Sequence, residues 1–393
     1  MSIQDLPYEY VVFGLTLMGV ALFHHRALFV SLAGLATASL LSIVLAADST
    51  SAAYDLAVHF AQEWVILSNL LLLLLGFAVV SNQFERSRLP ETIPALLPDG
   101  WVGGVVLLGI VFCLSIFLDN IAGAIIGGVV ARHVFPQGIT VGFQAAIVSA
   151  ANAGGAGSVI GDTTTTMMWI SGISAYELLP AFFGAIAAFA VFAPFAAIAQ
   201  QKTSPLMRQD LSSHEVDWAR AFVVAFVLMV IVGVNIVANT FFPEHEEFAP
   251  VLGLALWLAL LATAFVRAPQ WGVVREALKG AIFLVALVAL ASLMPVDSLP
   301  PPSLTSVLGL GFLSAVFDNI PLTALALNQG GYDWALLAFA VGFGGSMVWF
   351  GSSAGVALTN LFPEGRSAAK WFYFGWFVPV AYVAGFAVMA LTR

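Results

Sequence analysis

Apolar residues run along the chain in long blocks that do not alternate and do not keep to one helical stripe, and polar residues fall in short clusters between them. A helix that is apolar on every side has no face for water and belongs inside protein or lipid. A spanning helix needs about 20 such residues. The pattern therefore predicts crossings near 8–23, 27–46, 60–80, 140–174, 179–200, 218–241, 248–266, 273–294, 334–359 and 370–392.

Two further runs, 101–131 and 304–329, are too long or too interrupted to be plain spans, because each carries an Asp-Asn pair near its middle. Both are expected to be re-entrant hairpins. Non-helical backbone at membrane depth is tolerated only where protein or a water-filled cavity covers it.

Composition agrees with the pattern. Of the 393 residues, 61% are hydrophobic and only 9% are charged, with a mean hydropathy of +0.98. A soluble surface needs roughly a quarter of its residues charged, so most of this surface must face lipid. The formal charge of −9 is spread over loops without a basic patch, which excludes nucleic acid as a partner. The single cysteine, Cys113, rules out an intrachain disulfide and is expected to be a small core residue. The segment 1–10 carries Asp5 and Glu9 but no Lys or Arg, the wrong polarity for a cleaved signal peptide, so the first apolar run is expected to be a retained helix.

Threading ten crossings, with both hairpins returning to their own side, tests the positive-inside rule. Arg26, Arg86, Arg88, Arg132, Lys202, Arg208, Arg220, Arg267, Arg275, Lys279, Arg366 and Lys370 then share one side, the expected cytoplasm, and only Arg393 falls opposite. The other side collects Asp48, Asp55, Glu177, Glu244, Glu246, Glu247 and Asp297, together with both termini.

One pattern occurs twice, about 200 residues apart. The first copy reads FLDNIAGAI at 117–125 and NAGGAGSVIGDTTTTM at 152–167; the second reads VFDNIPLTA at 316–324 and FGGSMVWFGSSAGVAL at 343–358. Gly154-Gly155 aligns with Gly344-Gly345, Gly161 with Gly351, Asp162 with Ser352 and Thr163 with Ser353. Five crossings per half is an odd number, so the second half must enter the membrane upside down. The expected organisation is a first inverted repeat over 1–200 (scaffold helices 8–80, hairpin 101–131, broken helix 140–174, helix 179–200) and a cytoplasmic linker over 201–217. A second repeat follows over 218–393 (scaffold helices 218–294, hairpin 304–329, broken helix 334–359, helix 370–392). Interrupted helices in inverted repeats form the architecture in which substrates and coupling ions bind at the midplane.

Asp119, Asp162 and Asp318 lie at membrane depth, where a charge costs about 2.5–3.5 kcal/mol even on the gentler insertion scales. The structural alternative is a protonated carboxyl hydrogen-bonded between helices. Around them stand oxygen-bearing groups suited to a hard cation: Asn120, Asn152, Thr163, Thr164 and Thr165 in the first half, and Asn319, Ser352 and Ser353 in the second. The glycines at 154, 155, 161, 344, 345 and 351 allow backbone breaks whose carbonyls add ligands; close helix contact is their alternative role, as helix packing is for Thr165 and Thr166. Desolvation disfavours the charged form of a carboxylate, so one group can hold either a proton or a metal cation. Mutually exclusive occupancy is the simplest route to cation/proton exchange, with Asp119, Asp162 and Asp318 as the Na⁺ candidates.

Other polar residues suit lesser roles. Glu63 and His59 read as interfacial anchors, and Asn69, Asn235 and Asn239 as interhelical hydrogen-bond partners. His24, His25, His133, His214 and His245 read as solvated, and Trp101, Trp218, Trp271 and Trp371 as an aromatic belt.

The segments LDNIAGAI, AANAGGAGSVIGDTTTTM, FDNIPLTA and GGSMVWFGSSAGVA resemble the NhaD-type Na⁺/H⁺ antiporters of the ion transporter superfamily, which also holds dicarboxylate carriers and arsenite permeases. The resemblance covers nearly the whole chain in plan, with specific motifs at about 117–168 and 316–358. It implies an all-α, elevator-type homodimer in a bacterial cytoplasmic membrane, without a cofactor and with Na⁺ or Li⁺ as the transported ion. It also implies that Asp119 and Asn120 sit at the first hairpin tip, and Asn152, Gly161, Asp162 and Thr163 at the first broken helix. Asp318 and Asn319 then take the second tip, and Ser352 and Ser353 the second break. Dicarboxylate carriers of the superfamily carry Ser-Asn-Thr at the tips, so Asp there argues against an anionic substrate. Gly123 departs from the pattern by standing where a threonine is expected, as does the tail after Gly355 with Asn360 and Pro363.

The nearest rival is an arsenite, dicarboxylate or other anion carrier on the same fold. No Lys or Arg lies in the middle of an expected span, Arg220, Arg275, Lys279 and Lys370 all falling near span ends, so only half-helix N-termini could attract an anion at the midplane. An intramembrane aspartyl protease fails because Val159, two before Gly161, breaks the Gly-x-Gly-Asp signature, which leaves no enzymatic reading.

Overall fold

The computed structural model describes residues 7–23, 26–207, 215–241, 249–296 and 299–392, and all regular elements among them are helices. The first half comprises α1 (Tyr8–Leu22), α2 (Ala27–Val44), α3 (Ser49–Glu85), α4 (Ile93–Leu96), α5 (Trp101–Phe117), α6 (Asn120–Val134), α7 (Val141–Gly155), α8 (Thr163–Ile170), α9 (Ala175–Leu178) and α10 (Ala181–Thr203). The second half comprises α11 (Trp218–Phe241), α12 (Val251–Thr263), α13 (Gly272–Ser292), α14 (Leu304–Ser314), α15 (Asn319–Gln329), α16 (Trp334–Gly344), α17 (Ser353–Leu361), α18 (Ala368–Phe374) and α19 (Phe377–Leu391).

Helix contacts divide these elements into two groups. Helices α1, α2 and α3 pack with α11, α12 and α13, whereas α5, α6, α7 and α10 pack with α14, α16, α17 and α19. The groups meet mainly where α15 lies on α13 and α8 lies on α3. Hydrogen bonds cross this boundary: Trp169 Nε1 on α8 donates to Asn235 Oδ1 on α11 at 2.5 Å, and Asn328 Nδ2 on α15 donates to Ala291 O at 3.2 Å and Ser292 O at 3.1 Å. Asn69 joins helices within the first group, accepting the Gly253 N–H at 2.8 Å.

The outer surface is apolar. Phe265 is 95% exposed, and Phe222, Leu258, Leu22, Val44 and Phe29 project outward as well. Soluble monomers do not expose apolar surface on this scale, so the chain is an all-α membrane protein. Its two interrupted helices occupy the interior. In α7 Gly142 through Gly155 are buried, and in α16 Ala335 through Gly344 are buried. That matches sequences apolar on every side.

Where the hairpins are expected, helix pairs break at the aspartate, α5 and α6 at Asp119 and α14 and α15 before Asp318. Both expected broken helices are present too, with 156–162 separating α7 from α8 and 345–352 separating α16 from α17. Several boundaries differ from expectation. The helix placed at 60–80 is the middle of the 37-residue α3, roughly 55 Å long at 1.5 Å per residue and longer than the ~30 Å hydrocarbon layer. Asp48 starts it by accepting the Thr50 N–H, so His59 and Glu63 lie inside the helix rather than at its start. The last expected span bends by 64° between α18 and α19. Among the described residues, four stretches are continuous and apolar enough to cross a membrane unaided, Ala27–Val44, Ser49–Glu85, Ala175–Thr203 and Trp218–Ala238, with the bent pair as a fifth. The other expected crossings are shorter or interrupted, or, like α13, carry Arg275, Glu276 and Lys279 near one end.

Arg86, Arg220 and Arg267, expected on one side, lie close enough for their charges to interact. Asp217 joins them, pairing with Arg267 at 2.9 Å and with Arg220 at 3.3 Å. Arg208, Glu244, Glu246, Glu247, Asp297, Arg393, His24, His25, His214 and His245, together with Asp5 and the side chain of Asn239, lie outside the described residues.

Candidate ion site

Four helices begin at the two hairpin tips and the two breaks: α6 at Asp119, α8 at Asp162, α15 at Asp318 and α17 at Ser352. Three of these starts are capped in the usual way, with a side-chain oxygen accepting an orphan backbone N–H. Asp162 takes the Thr164 N–H at 3.2 Å, Asp318 takes that of Ile320 at 3.1 Å and Ser352 takes that of Gly355 at 3.3 Å. Asp119 makes no such side-chain bond.

Asn152, on α7 before the first break, ties these starts together. Its Oδ1 accepts Asn120 Nδ2 at 3.0 Å, and its Nδ2 donates to Ser346 Oγ at 2.9 Å and Ser352 Oγ at 3.1 Å. Asn152, Ser346 and Ser352 are fully buried. Nearby, Ser353 Oγ donates to Asp318 Oδ2 at 3.3 Å, and Asn319, buried at the head of α15, accepts the Thr323 hydroxyl on its carbonyl.

The breaks seat on the hairpins by the same contacts in each half. A Cβ added to Gly154 would lie 2.1 Å from Phe112 O, and one on Gly344 would lie 2.2 Å from Gly311 O. At Gly161 the obstacle is Ser115 O at 1.9 Å, and at Gly351 it is Ala315 O at 2.7 Å. These four positions admit no side chain, so close approach is reason enough for their glycines. Two threonines are likewise committed to structure. Thr165 Oγ1 donates to Ser158 O and Asp162 O, and Thr166 Oγ1 to Val159 O and Asp162 O, which satisfies the carbonyls freed by the first break.

Four buried oxygens around the first break have no hydrogen-bond partner: Ser115 Oγ, Asp119 Oδ1, Asp162 Oδ2 and Thr164 Oγ1. Leaving a buried polar atom unpaired costs about 1–3 kcal/mol, so unpaired acceptors gathered in one region suit a cation or a proton. Asp119, Asp162, Thr163 and Thr166 line a small cavity of about 20 Å³ walled by Leu70, Leu73, Leu74 and Phe77 of α3, enough for one water-sized particle. Asp318 and Ser353 instead line a separate cleft of about 440 Å³ between α2, α13 and α17, with Arg26 and Lys279 also on its wall. Asp162 is near enough to Asp119 and Asp318 to feel both charges. The three carboxylates nonetheless form no single metal centre; among the described residues no three His, Cys, Asp or Glu side chains converge on a point.

Three expectations need correction. Trp371 does not stand in an aromatic belt but is fully buried, donating its indole N–H to Ser346 O at 3.0 Å behind the second break. Trp101, Trp218 and Trp271 do project outward. Cys113 is exposed on α5 rather than in the core. His59, expected to open the third span, lies within α3 and bonds Ser292 Oγ at 2.9 Å. Ser115 and Ser346 were not singled out from the sequence, although Ser346 stands inside the repeated block.

No family model matches the chain. Sodium/proton antiporter 1 of Arabidopsis thaliana is 28% identical over 329 residues, which cover 73% of this chain and 53% of the relative. The chain therefore spans about half the length of that protein, and 73% of the length of sodium/proton antiporter 2 of the same plant, also 28% identical. The Na⁺/H⁺ antiporter NhaD of Vibrio cholerae is 27% identical over 381 residues, covering 83% of this chain and 78% of the relative. Relatives of one kind thus align over most of the chain, and the resemblance first carried by the two repeated motifs identifies it as a relative of the NhaD-type Na⁺/H⁺ antiporters.

Proposed function

We propose that this protein exchanges Na⁺ or Li⁺ for H⁺ across a membrane by alternating access, with Asp119, Asp162 and Asp318 holding cation and proton in turn. The observation that carries the reading is the set of unpartnered buried oxygens at the first break, Asp119 Oδ1, Asp162 Oδ2 and Thr164 Oγ1, beside the bridge from Asn152 to the second break. A site left with unpaired acceptors and no cationic side chain attracts a positive ion. Helix N-termini carry partial positive charge and suit anions, but three of the four here are occupied by the protein's own carboxylates. That leaves little for an anionic substrate.

Asn120, Asn152, Thr163 and Thr164 complete the first site in this reading, and Asn319, Ser352 and Ser353 the second. The recurrence of the same glycine contacts in both halves supports two repeats of five crossings and one re-entrant hairpin, inverted relative to each other. The division of helices supports an elevator, with α1 to α3 and α11 to α13 as scaffold and the remainder as the moving body. The protein is read as a homodimer in a bacterial cytoplasmic membrane, with lipid as its surroundings and both termini outside.

Purified protein in liposomes, followed with a pH-sensitive dye across Na⁺, Li⁺, K⁺, succinate and arsenite, tests the proposal. Lumenal pH should respond to Na⁺ or Li⁺ gradients, and Asp119→Asn and Asp162→Asn should each abolish the response. A response to succinate or arsenite alone, or full exchange in both variants, would overturn it.

A further inference from the structure

A glycine within a helix costs about 1 kcal/mol relative to alanine, so a buried helical glycine needs a physical reason. At Gly154, Gly161, Gly344 and Gly351 the reason is a neighbouring backbone carbonyl. Gly342 is different. It is buried in α16, two residues before that helix ends, and the nearest atoms to an added Cβ outside its own helix are not backbone. They are Asp162 Oδ2 at 3.1 Å, Thr164 Oγ1 at 3.9 Å and Ala156 Cβ at 4.0 Å.

Both of those oxygens are buried and without a hydrogen-bond partner. The Thr165 and Thr166 hydroxyls bond break carbonyls, and Asp162 Oδ1 caps α8, whereas Asp162 Oδ2 and Thr164 Oγ1 are buried side-chain atoms of this turn left without a partner. They face Gly342, where an added Cβ would crowd these side-chain oxygens rather than a neighbouring backbone. We infer that Gly342 is a specificity-determining residue. It keeps open a socket between the second half's broken helix and the first break, in which Asp162 Oδ2 and Thr164 Oγ1 hold a dehydrated monovalent cation.

This inference rests on the proposed exchange and deepens it by assigning two ligands and the wall that sets the size of the ion. A methyl group at position 342 supplies no ligand and takes up room, so it penalises the larger ion more. A changed ion preference distinguishes such a socket from a water-filled gap, whose filling would leave that preference untouched.

The experiment compares Na⁺ and Li⁺ exchange in proteoliposomes for the wild type, Gly342→Ala, Thr164→Val and Gly309→Ala. Gly309 in α14 is the control, because a Cβ there meets nothing within 4 Å. Gly342→Ala should raise KM for Na⁺ by about tenfold and KM for Li⁺ by less, changing the ratio of the two. Thr164→Val, which keeps the shape and removes the hydroxyl, should raise KM by about tenfold, as loss of one buried polar ligand would. Gly309→Ala should match the wild type. Gly342→Ala with both KM values within about twofold of wild type overturns the inference. If that variant does not fold, Thr164→Val decides in the same way. A wild type that exchanges neither ion refutes the proposed function itself, whereas a working wild type with unaltered variants refutes the socket alone.

Discussion

Asn152 Nδ2 donates to Ser352 Oγ at 3.1 Å across 200 residues of sequence, joining the helix that precedes the first break to the cap of the helix that follows the second. A carboxamide both accepts and donates, and Asn152 uses both capacities, taking Asn120 on one side and giving to Ser346 and Ser352 on the other. Helix α6, the first broken helix and the second broken helix are thereby held to one another by a single buried side chain.

Removing that side chain strands several buried polar groups at once. Asn152→Ala is expected to destabilise the protein by about 1–3 kcal/mol, the range for a buried group left unpaired, and to stop exchange. Asn152→Asp, which keeps the size but loses the donors to Ser346 and Ser352, should impair exchange as well. A melting temperature for Asn152→Ala equal to that of the wild type in the same detergent would contradict this account of the bridge.

The glycines at the breaks sort by what a Cβ would strike. Gly161→Ala would place carbon 1.9 Å from Ser115 O, and Gly154→Ala 2.1 Å from Phe112 O. Each should lower stability by about 1–3 kcal/mol, the range for overpacking, or prevent insertion. Gly233→Ala, where a Cβ meets nothing within 4 Å in α11, should be neutral or mildly stabilising. Expression level and thermal melting of the three variants give the ranking, and an order with Gly233→Ala worst would refute it.

The two regions holding carboxylates differ in access. Asp318 lines the 440 Å³ cleft together with the half-buried Ala357, while the buried Thr166 lines the much smaller 20 Å³ cavity with Asp119 and Asp162. In a Cys113→Ser background, needed because Cys113 is exposed, Ala357→Cys should react with a membrane-impermeant thiol reagent much faster than Thr166→Cys. Equal rates would mean that the cleft and the cavity are not distinct in the membrane.

Asp217 offers a test of pH dependence outside the spans. The hydrogen bonds from Arg267 hold its carboxyl below the usual carboxylate range, with Arg220 adding to the effect and desolvation opposing it. A depressed value means stabilisation that is present above the unfolded-state value and is lost as pH falls through the folded one. Asp217→Asn should therefore melt below the wild type at neutral pH and converge with it in acid. The pair is solvent-exposed, so the difference should be small and should shrink with added salt. A difference that grows in acid would reverse the assignment.

Much of this architecture could be read in the chain because its cause is local. Transfer of a side chain into lipid depends on that side chain, so hydropathy marks the apolar helices, and a polar Asp-Asn pair at 119–120 or 318–319 inside an apolar run marks a helix break. Repetition of Asp-Asn and of the glycine clusters identified both breaks before any contact was known. Lengths were less legible: α3 continues through polar residues on both sides of its apolar core, because intrahelical hydrogen bonds extend it wherever nothing stops it.

Tertiary structure alone decided which polar atoms are spent and which remain free. Thr164, Thr165 and Thr166 are equivalent in sequence, yet the break's geometry turns two of their hydroxyls onto its own carbonyls and leaves one facing Gly342. Trp371, placed by composition in a belt, folds inward because Ser346 O needs a donor. The separation of Asp318 from the cavity of Asp119 and Asp162 has the same origin. Partners 200 residues apart are chosen by how two packed halves meet, and no window along the chain contains that information.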